Sequence, residues 1–217
     1  MTDTRVMIAG ATGLVGGCFF ETALDDSDYS EIVLLGRRSL PELDAHEKVA
    51  TLTTDFSGLE TLAPSCEVDA VVCALGTTIK KAGSKERLFE IDCLYTEAAA
   101  SYARRCGART LVVVSSVGAS PAASSHYLHT KGEMEKRVQS MGFEACHILR
   151  PSLLMGDRKE KRFGEALGVR LLSPLSFLMP AKYRPIHADT LARKIDALLK
   201  NPGEGVVVHQ GASLFQV

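Results

Sequence analysis

The 217-residue sequence predicts an α/β fold, a doubly wound and mostly parallel sheet of about seven strands with helices on both faces. Three observations predict it. Apolar, β-rich runs recur at 5–9, 31–35, 49–53, 69–75, 109–115, 144–149 and 205–209. Helix-like stretches at 14–24, 57–63, 84–105, 127–141 and 188–200 separate most of them. Runs such as Ala70-Val-Val-Cys-Ala-Leu75 and Leu111-Val-Val-Val114 are near-continuously apolar, as strands covered on both faces require. Third, a glycine-spaced turn leaves the first strand and opens the first helix, as the start of a βαβ unit does.

That turn is Gly10-Ala11-Thr12-Gly13-Leu14-Val15-Gly16. Gly10 makes the tight bend, and Gly13 removes a Cβ that would collide with a phosphate. Gly16 lets helix and strand pack closely. The helix N-terminus then offers free N–H groups and a partial positive charge to an anion. Residues 10–15 are therefore the candidate pyrophosphate cradle of a dinucleotide.

The second strand ends in Gly36-Arg37-Arg38. A carboxylate there would bind the ribose 2′-hydroxyl of NAD; two guanidinium groups instead favour a 2′-phosphate, and so NADP(H). Asp55, before Phe56 at the end of the third strand, suits a hydrogen bond to an adenine amino group. Ala74, Leu75 and Gly76, with Thr77 beyond, end the fourth strand where side chains against a cofactor must be small.

Ser115 and Ser116 end the fifth strand; Tyr127 and Lys131 follow, four residues apart on one helical face. Strand C-termini line the ligand crevice of an open α/β sheet, so these groups and the glycine turn share one side. An ammonium beside a phenol favours the phenolate and can also hydrogen-bond a ribose. A serine hydroxyl can then hold a substrate oxygen while the phenol exchanges a proton with it. Spacing alone does not separate Ser115 from Ser116.

The length suits one domain, 1–217, with 152–187 as a small substrate-side insert that breaks the strand–helix rhythm with a charged stretch and two prolines. Net charge is −1, which excludes a bulk basic field for nucleic acid, and no apolar run reaches a bilayer-spanning length. The first strand begins almost at once, so a cytoplasmic location is the default expectation. The six cysteines form no metal-ligand pattern and read as reduced, mostly buried thiols. His126 and His129 read as surface or pocket-rim residues, and Glu133, Glu135 and Arg137 as a solvated helix face. Asp189 reads as the cap of the last helix.

Gly10-x-x-Gly13-x-x-Gly16, Ser116 and Tyr127-x-x-x-Lys131 resemble the short-chain dehydrogenase/reductase superfamily, in its atypical or extended branch. A narrower likeness, to the Tat-interacting-protein-like oxidoreductases, rests on six stretches. They are Leu35-Gly-Arg-Arg38, Leu75-Gly-Thr-Thr78, Lys81-Ala-Gly83, Ser115-Ser-Val-Gly-Ala119, Tyr127-Leu-x-x-Lys-Gly-Glu133 and Leu149-Arg-Pro151. The resemblance implies an NADPH-binding Rossmann fold and selects Ser116 over Ser115. It also maps nicotinamide contacts onto Arg150, Pro151, Ser152 and Leu153. Asp92 matches the helix asparagine that many superfamily members use to hold a relay water, and His187 lies where extended members approach substrate. Animal members of the family are associated with regulatory partners. Together these readings predict an NADPH-dependent reductase of a small carbonyl compound, with an NADPH-loaded sensor of little turnover as the alternative.

Overall fold

The computed structural model describes residues 3–39, 46–156 and 184–216. Strand β1 (Thr4–Ala9) leads into helix α1 (Leu14–Asp25), then β2 (Tyr29–Gly36) and β3 (Val49–Thr53). After β4 (Ala70–Cys73) come α2 (Ile79–Ala82), α3 (Lys85–Phe89), a π-helical turn (Glu90–Leu94) and α4 (Tyr95–Arg105). Strand β5 (Thr110–Val114), helix α5 (His126–Gln139) and β6 (Ala145–Arg150) follow. Two short strands, β7 (Leu154–Met155) and β8 (Ile186–His187), precede α6 (Ala188–Lys200) and β9 (Gly205–Gln210).

Seven strands form one sheet in the order β3-β2-β1-β4-β5-β6-β9, and every neighbouring pair is parallel. Side chains alternate between the faces, as the two-residue period of a strand dictates. Met7, Ala9, Val33, Val71, Leu111 and Ile148 pack with α4 and α5 on one face. Val6, Ile8, Ile32, Leu34, Val72 and Val112 pack with α1 and α6 on the other. In α6, Leu191, Ala192, Ile195, Leu198 and Leu199 supply the buried stripe at helical spacing. The order in which strands are added reverses between β1 and β4: β2 and β3 lie on one side of β1, and β4, β5 and β6 on the other. That switch point opens a crevice at the strand C-termini.

All seven expected strands form, but two expected helices differ. Residues 57–63 make turns rather than a helix. Seven residues are too few to hold a helix unaided, and Gly58 lowers the propensity further. The Asp55 side chain also accepts from the Gly58 N–H (3.3 Å), and the Arg105 guanidinium donates to the Leu59 and Leu62 carbonyls. The expected helix 84–105 is split by the π-turn at Glu90–Leu94, and α2 arises ahead of it. Thr78 caps α2 by accepting from the Lys81 N–H, Gly83 stops it at φ +90°, and Ser84 caps α3. The insert expected at 152–187 meets the described residues only at its ends, where β7 and β8 pair; 157–183 lie outside them. The cap of α6 is His187, with Asp189 inside the first turn, so the capping role expected of Asp189 is corrected.

Buried between β6 and β9, His147 Nδ1 lies 3.1 Å from His209 Nε2, and His147 Nε2 lies 2.8 Å from the Pro202 carbonyl. Burial pushes both imidazoles down, His209 to about 4. Unfolded histidine titrates near ~6.5. The stability that the neutral pair contributes is therefore complete above that pH and is lost as pH falls toward the folded value. The melting-temperature advantage of the wild type over His209→Gln is expected at pH 7 and should vanish by about pH 4. Melting curves of both proteins across that range check it.

Candidate active site

At the switch point, Gly10 has φ +101°, and a Cβ there would lie 2.7 Å from the Ala74 carbonyl oxygen at the exit of β4. A Cβ on Gly16 would run into the Gly10 carbonyl, so α1 can start this close to the turn only with glycine. One on Gly13 would meet the same oxygen at 3.2 Å. Gly13 is the extended N-cap residue of α1 and has no side-chain cap. The first helical bond runs from the Gly17 N–H to the Gly13 carbonyl (2.8 Å). The first-turn amides, those of Leu14 and Val15 included, therefore open into the crevice beside an acid-free helix start. This donor set fits a pyrophosphate. The Val15 side chain is core, so only its amide is available. Gly16→Ala is expected to cost about 3 kcal/mol or more, because backbone must move to admit the methyl. Thermal melting should show a drop of about 10 °C.

A pocket continues from this turn. Gly10, Ala11 and Thr12 form one wall; Gly36, Arg37 and Arg38 form the other; Phe56 and Leu75 close it. Both arginines are exposed and have no carboxylate partner among the described residues. Phe56 is the one non-glycine residue at positive φ (+70°) among the described residues. Its buried ring stacks on Tyr95, with centroids 4.9 Å apart. Tyr95 in turn donates to Glu90 and accepts from Arg87. This packing holds Phe56 in a costly backbone region at the pocket floor. Asp55 is exposed, two residues past the end of β3. Hydrogen bonds from the Ser57 hydroxyl and the Gly58 amide hold its carboxyl below the usual range. Ala74, Leu75, Gly76 and Thr77 follow β4 rather than ending it. The Ala74 amide donates to the Ala9 carbonyl (2.8 Å), which ties this loop to the glycine turn.

Lys131 is almost completely buried, and its Nζ reaches three oxygens. It lies 3.3 Å from the Leu75 carbonyl beyond β4, 3.3 Å from the Val114 carbonyl at the end of β5, and 3.1 Å from Asp92 Oδ1. The second Asp92 oxygen accepts from the Thr77 amide (2.8 Å). Asp92 is thus a direct ion-pair partner of Lys131. Burial, the largest single influence, pushes the Lys131 ammonium down, but the Asp92 charge and contact together with the neighbouring Tyr127 and Cys93 outweigh it, and the net shift is upward. Tyr127 lies one turn earlier and is half-buried. The rings of its neighbours are tied to backbone, His126 to the Lys85 carbonyl (3.0 Å) and His129 to the Pro121 carbonyl (2.7 Å). A Cβ on Gly132 would collide with the Ser120–Pro121 backbone, so glycine there admits the loop after β5 onto α5 beside Lys131.

The two serines, which spacing left equivalent, differ here. Ser115 is buried and donates to Glu135 Oε1 (2.5 Å). Ser116 is half-buried, and its hydroxyl has only a long contact (3.5 Å) to the Val117 carbonyl. Glu135 is not on a solvated face, which corrects that expectation: it is 3% exposed and receives Arg150 Nε (2.9 Å) and Nη2 (2.5 Å). Arg150 is correspondingly turned toward Glu135. Glu135 follows Lys131 by four residues, so the period that joins Tyr127 to Lys131 also marks Glu135 as inward-facing. Arg137 pairs with Glu97 (2.5 Å). Pro151 is buried and its carbonyl accepts from the Val117 amide (2.9 Å). Ser152 donates to the Arg184 carbonyl, and the Leu153 carbonyl accepts from the Ile186 amide (2.9 Å). His187 is exposed at the start of α6. Among the described residues no group of His, Cys, Asp and Glu side chains suits a metal ion.

This architecture, with its glycine turn at the switch point, defines an NAD(P)-binding Rossmann-type domain. A family model described as NAD(P)H-binding matches residues 10–170. The protein HTATIP2 of Rattus norvegicus is 32% identical over 210 residues, covering 94% of this chain and 85% of that one. The mitochondrial protein FMP52 of Candida albicans is 37% identical over 156 residues, covering 70% and 68%. The chain therefore belongs to the NAD(P)H-binding family, in the atypical short-chain-dehydrogenase-like group that includes HTATIP2 and FMP52. Among solved structures, Bordetella bronchiseptica WbmH with NAD+ superposes at a TM-score of 0.70 and 16% identity, covering 95% of this chain and 75% of that one. The UDP-glucuronic acid 4-epimerase of Bacillus cereus, with NAD, gives 0.68 and 15% over 96% and 78%. At such identities the likeness is one of fold. Several relatives are named as mitochondrial proteins, FMP52 of Eremothecium gossypii and of Aspergillus niger among them. This overturns the cytoplasmic expectation, which rested only on the lack of a recognisable leader. Among the described residues no helix is long and apolar enough to cross a membrane.

Proposed function

We propose that this chain is an NADPH-dependent reductase of small carbonyl compounds, built as one domain with the described ends of the insert, 152–156 and 184–187, on the substrate side. One observation carries the reading. The Lys131 ammonium touches both the cofactor-side loop, at the Leu75 carbonyl, and the end of β5, at the Val114 carbonyl. Tyr127, one turn away, thus shares a crevice with the glycine turn and with Ser116. Bound NADPH would supply the hydride. Residues 10–15 hold its pyrophosphate, Arg37 and Arg38 its 2′-phosphate, and Phe56 and Leu75 flank the adenosine half. Asp55, Ala74, Gly76, Thr77, Pro151, Ser152 and Leu153 complete the cofactor contacts. Ser116, whose hydroxyl is the less engaged of the pair, orients the substrate oxygen; Tyr127 Oη donates the proton to it and Lys131 favours the resulting phenolate. The names of the fungal relatives support a mitochondrial place of action.

A second reading, an NADPH-loaded sensor with little turnover, draws on the engagement of Lys131 by two carbonyls and the Asp92 carboxylate. NADPH consumption over a panel of aldehydes and ketones separates the two. Turnover by the wild type is expected for at least one compound. Tight NADPH binding with none across the panel would favour the sensor.

A further inference from the structure

We infer that Asp92 is a positioning residue of this site: its carboxylate is the counter-ion that keeps Lys131 in place as an ammonium beneath the cofactor loop. The inference rests on the reading of Lys131 given above, and its test needs no substrate.

An ammonium has three N–H donors, and here three oxygens lie close to it. Two are carbonyls that accept from it at 3.3 Å, and the nearest is Asp92 Oδ1, an ion-pair contact at 3.1 Å. A buried ammonium with carbonyl partners alone is poorly compensated for the water it has lost. The titratable groups facing Lys131 come from three elements. Asp92 and Cys93 face it from the π-turn, Cys73 from the end of β4, and Tyr127 from the preceding turn of α5. Burial pushes the Cys73 thiol up to about 12 and the Cys93 thiol up to about 11, so both stay neutral. Asp92 is therefore the carboxylate that compensates the ammonium directly, with Tyr127 the other titratable group that faces it.

The backbone is adapted to deliver it. The π-turn adds a residue to the helical path, with Asp92 and Cys93 buried and Leu94 left outward at 38% exposure. Thr96 Oγ1 donates to the Asp92 carbonyl (3.2 Å), which steadies the widened turn. The other carboxylate oxygen holds the Thr77 amide, so one side chain fixes both the lysine and the loop that runs along the pocket. A consequence follows for any ligand. If a ribose hydroxyl takes an N–H of Lys131, it displaces one of the two longer carbonyl contacts, while the ion pair persists.

Carbon-13 NMR of the lysine ε-carbons tests this in the intact chain, with Lys131 assigned by the signal missing from Lys131→Met. In Asp92→Asn, which keeps an acceptor for Thr77 but removes the charge, the Lys131 signal should titrate about two pH units lower than in the wild type. That is about a hundredfold loss of proton affinity. An unchanged Lys131 titration in folded Asp92→Asn overturns the inference. Should that variant not fold, melting of Asp92→Leu/Lys131→Met decides. The apolar pair should recover at least half of the stability lost by Lys131→Met alone, whereas a double variant no more stable than that single one overturns the inference. A chain that consumes no NADPH with any carbonyl fails as a reductase and leaves both readouts standing.

Discussion

Tyr127→Phe is expected to bind NADPH as tightly as the wild type and to lose carbonyl-dependent turnover by about a thousandfold. The substitution removes one oxygen from a half-buried ring whose hydroxyl makes no hydrogen bond among the described residues, so folding should be unaffected. Its flanking histidines are tied to the Lys85 and Pro121 carbonyls and are not free to move in as substitute acids. Positioned proton transfer is worth ~10²–10⁴ in rate, and a phenyl ring supplies none of it. Fluorescence titration with NADPH and steady-state kinetics on the best carbonyl of the panel check both halves. A loss confined to cofactor affinity would remove Tyr127 from the chemistry and make it a wall of the pocket.

Arg37→Ala with Arg38→Ala is expected to weaken NADPH about a hundredfold while changing NADH affinity by less than about threefold. The two coenzymes differ only in the 2′-phosphate. Charge-assisted hydrogen bonds to such a group are the strong ones, at ~1.5–3 kcal/mol each. Both arginines stand exposed at the pocket rim, so part of each contribution is screened by water, and ~100-fold for the pair allows for that. Calorimetric titration of each variant with both coenzymes reads the ratio. Equal weakening of the two would show that the arginines hold something common to them, such as the pyrophosphate, and the 2′-phosphate would have to be sought elsewhere.

Much of the fold was legible because its signals are local. Continuous apolar runs such as Leu111–Val114 name doubly covered strands, and the glycine spacing 10–13–16 names a turn whose Gly10 and Gly16 leave no room for a side chain. The sequence misjudged 57–63 because helical periodicity over seven residues competes with an Asp55 turn and with acceptors taken by Arg105, which is distant in sequence. It missed the π-turn for a related reason. The pattern of 84–105 is helical throughout, and an inserted residue leaves no mark on composition. The candidate site was legible where spacing carries it, as with Tyr127 and Lys131, which share one helical face. They were hidden where two charges meet across the fold. Glu135 shares the inward period of Tyr127 and Lys131 but stands beside the charged Lys136 and Arg137, and only the approach of β6 brings its partner Arg150 to it. The choice between Ser115 and Ser116 depended on the same carboxylate, which engages the first hydroxyl and leaves the second. Compartment was not legible from residues 1–10; the names of relatives changed that expectation.

Deuteride transfer tests the reductase reading most directly. NADPH carrying deuterium at both positions of the reactive nicotinamide carbon is incubated with the protein and the carbonyl panel, and products are read by mass spectrometry. The wild type should yield an alcohol one deuterium heavier than the same alcohol formed with unlabelled NADPH, and Tyr127→Phe should yield almost none. Tight NADPH binding with no deuterium in any product would contradict the reductase reading and leave a cofactor-binding protein whose serine, tyrosine and lysine do other work.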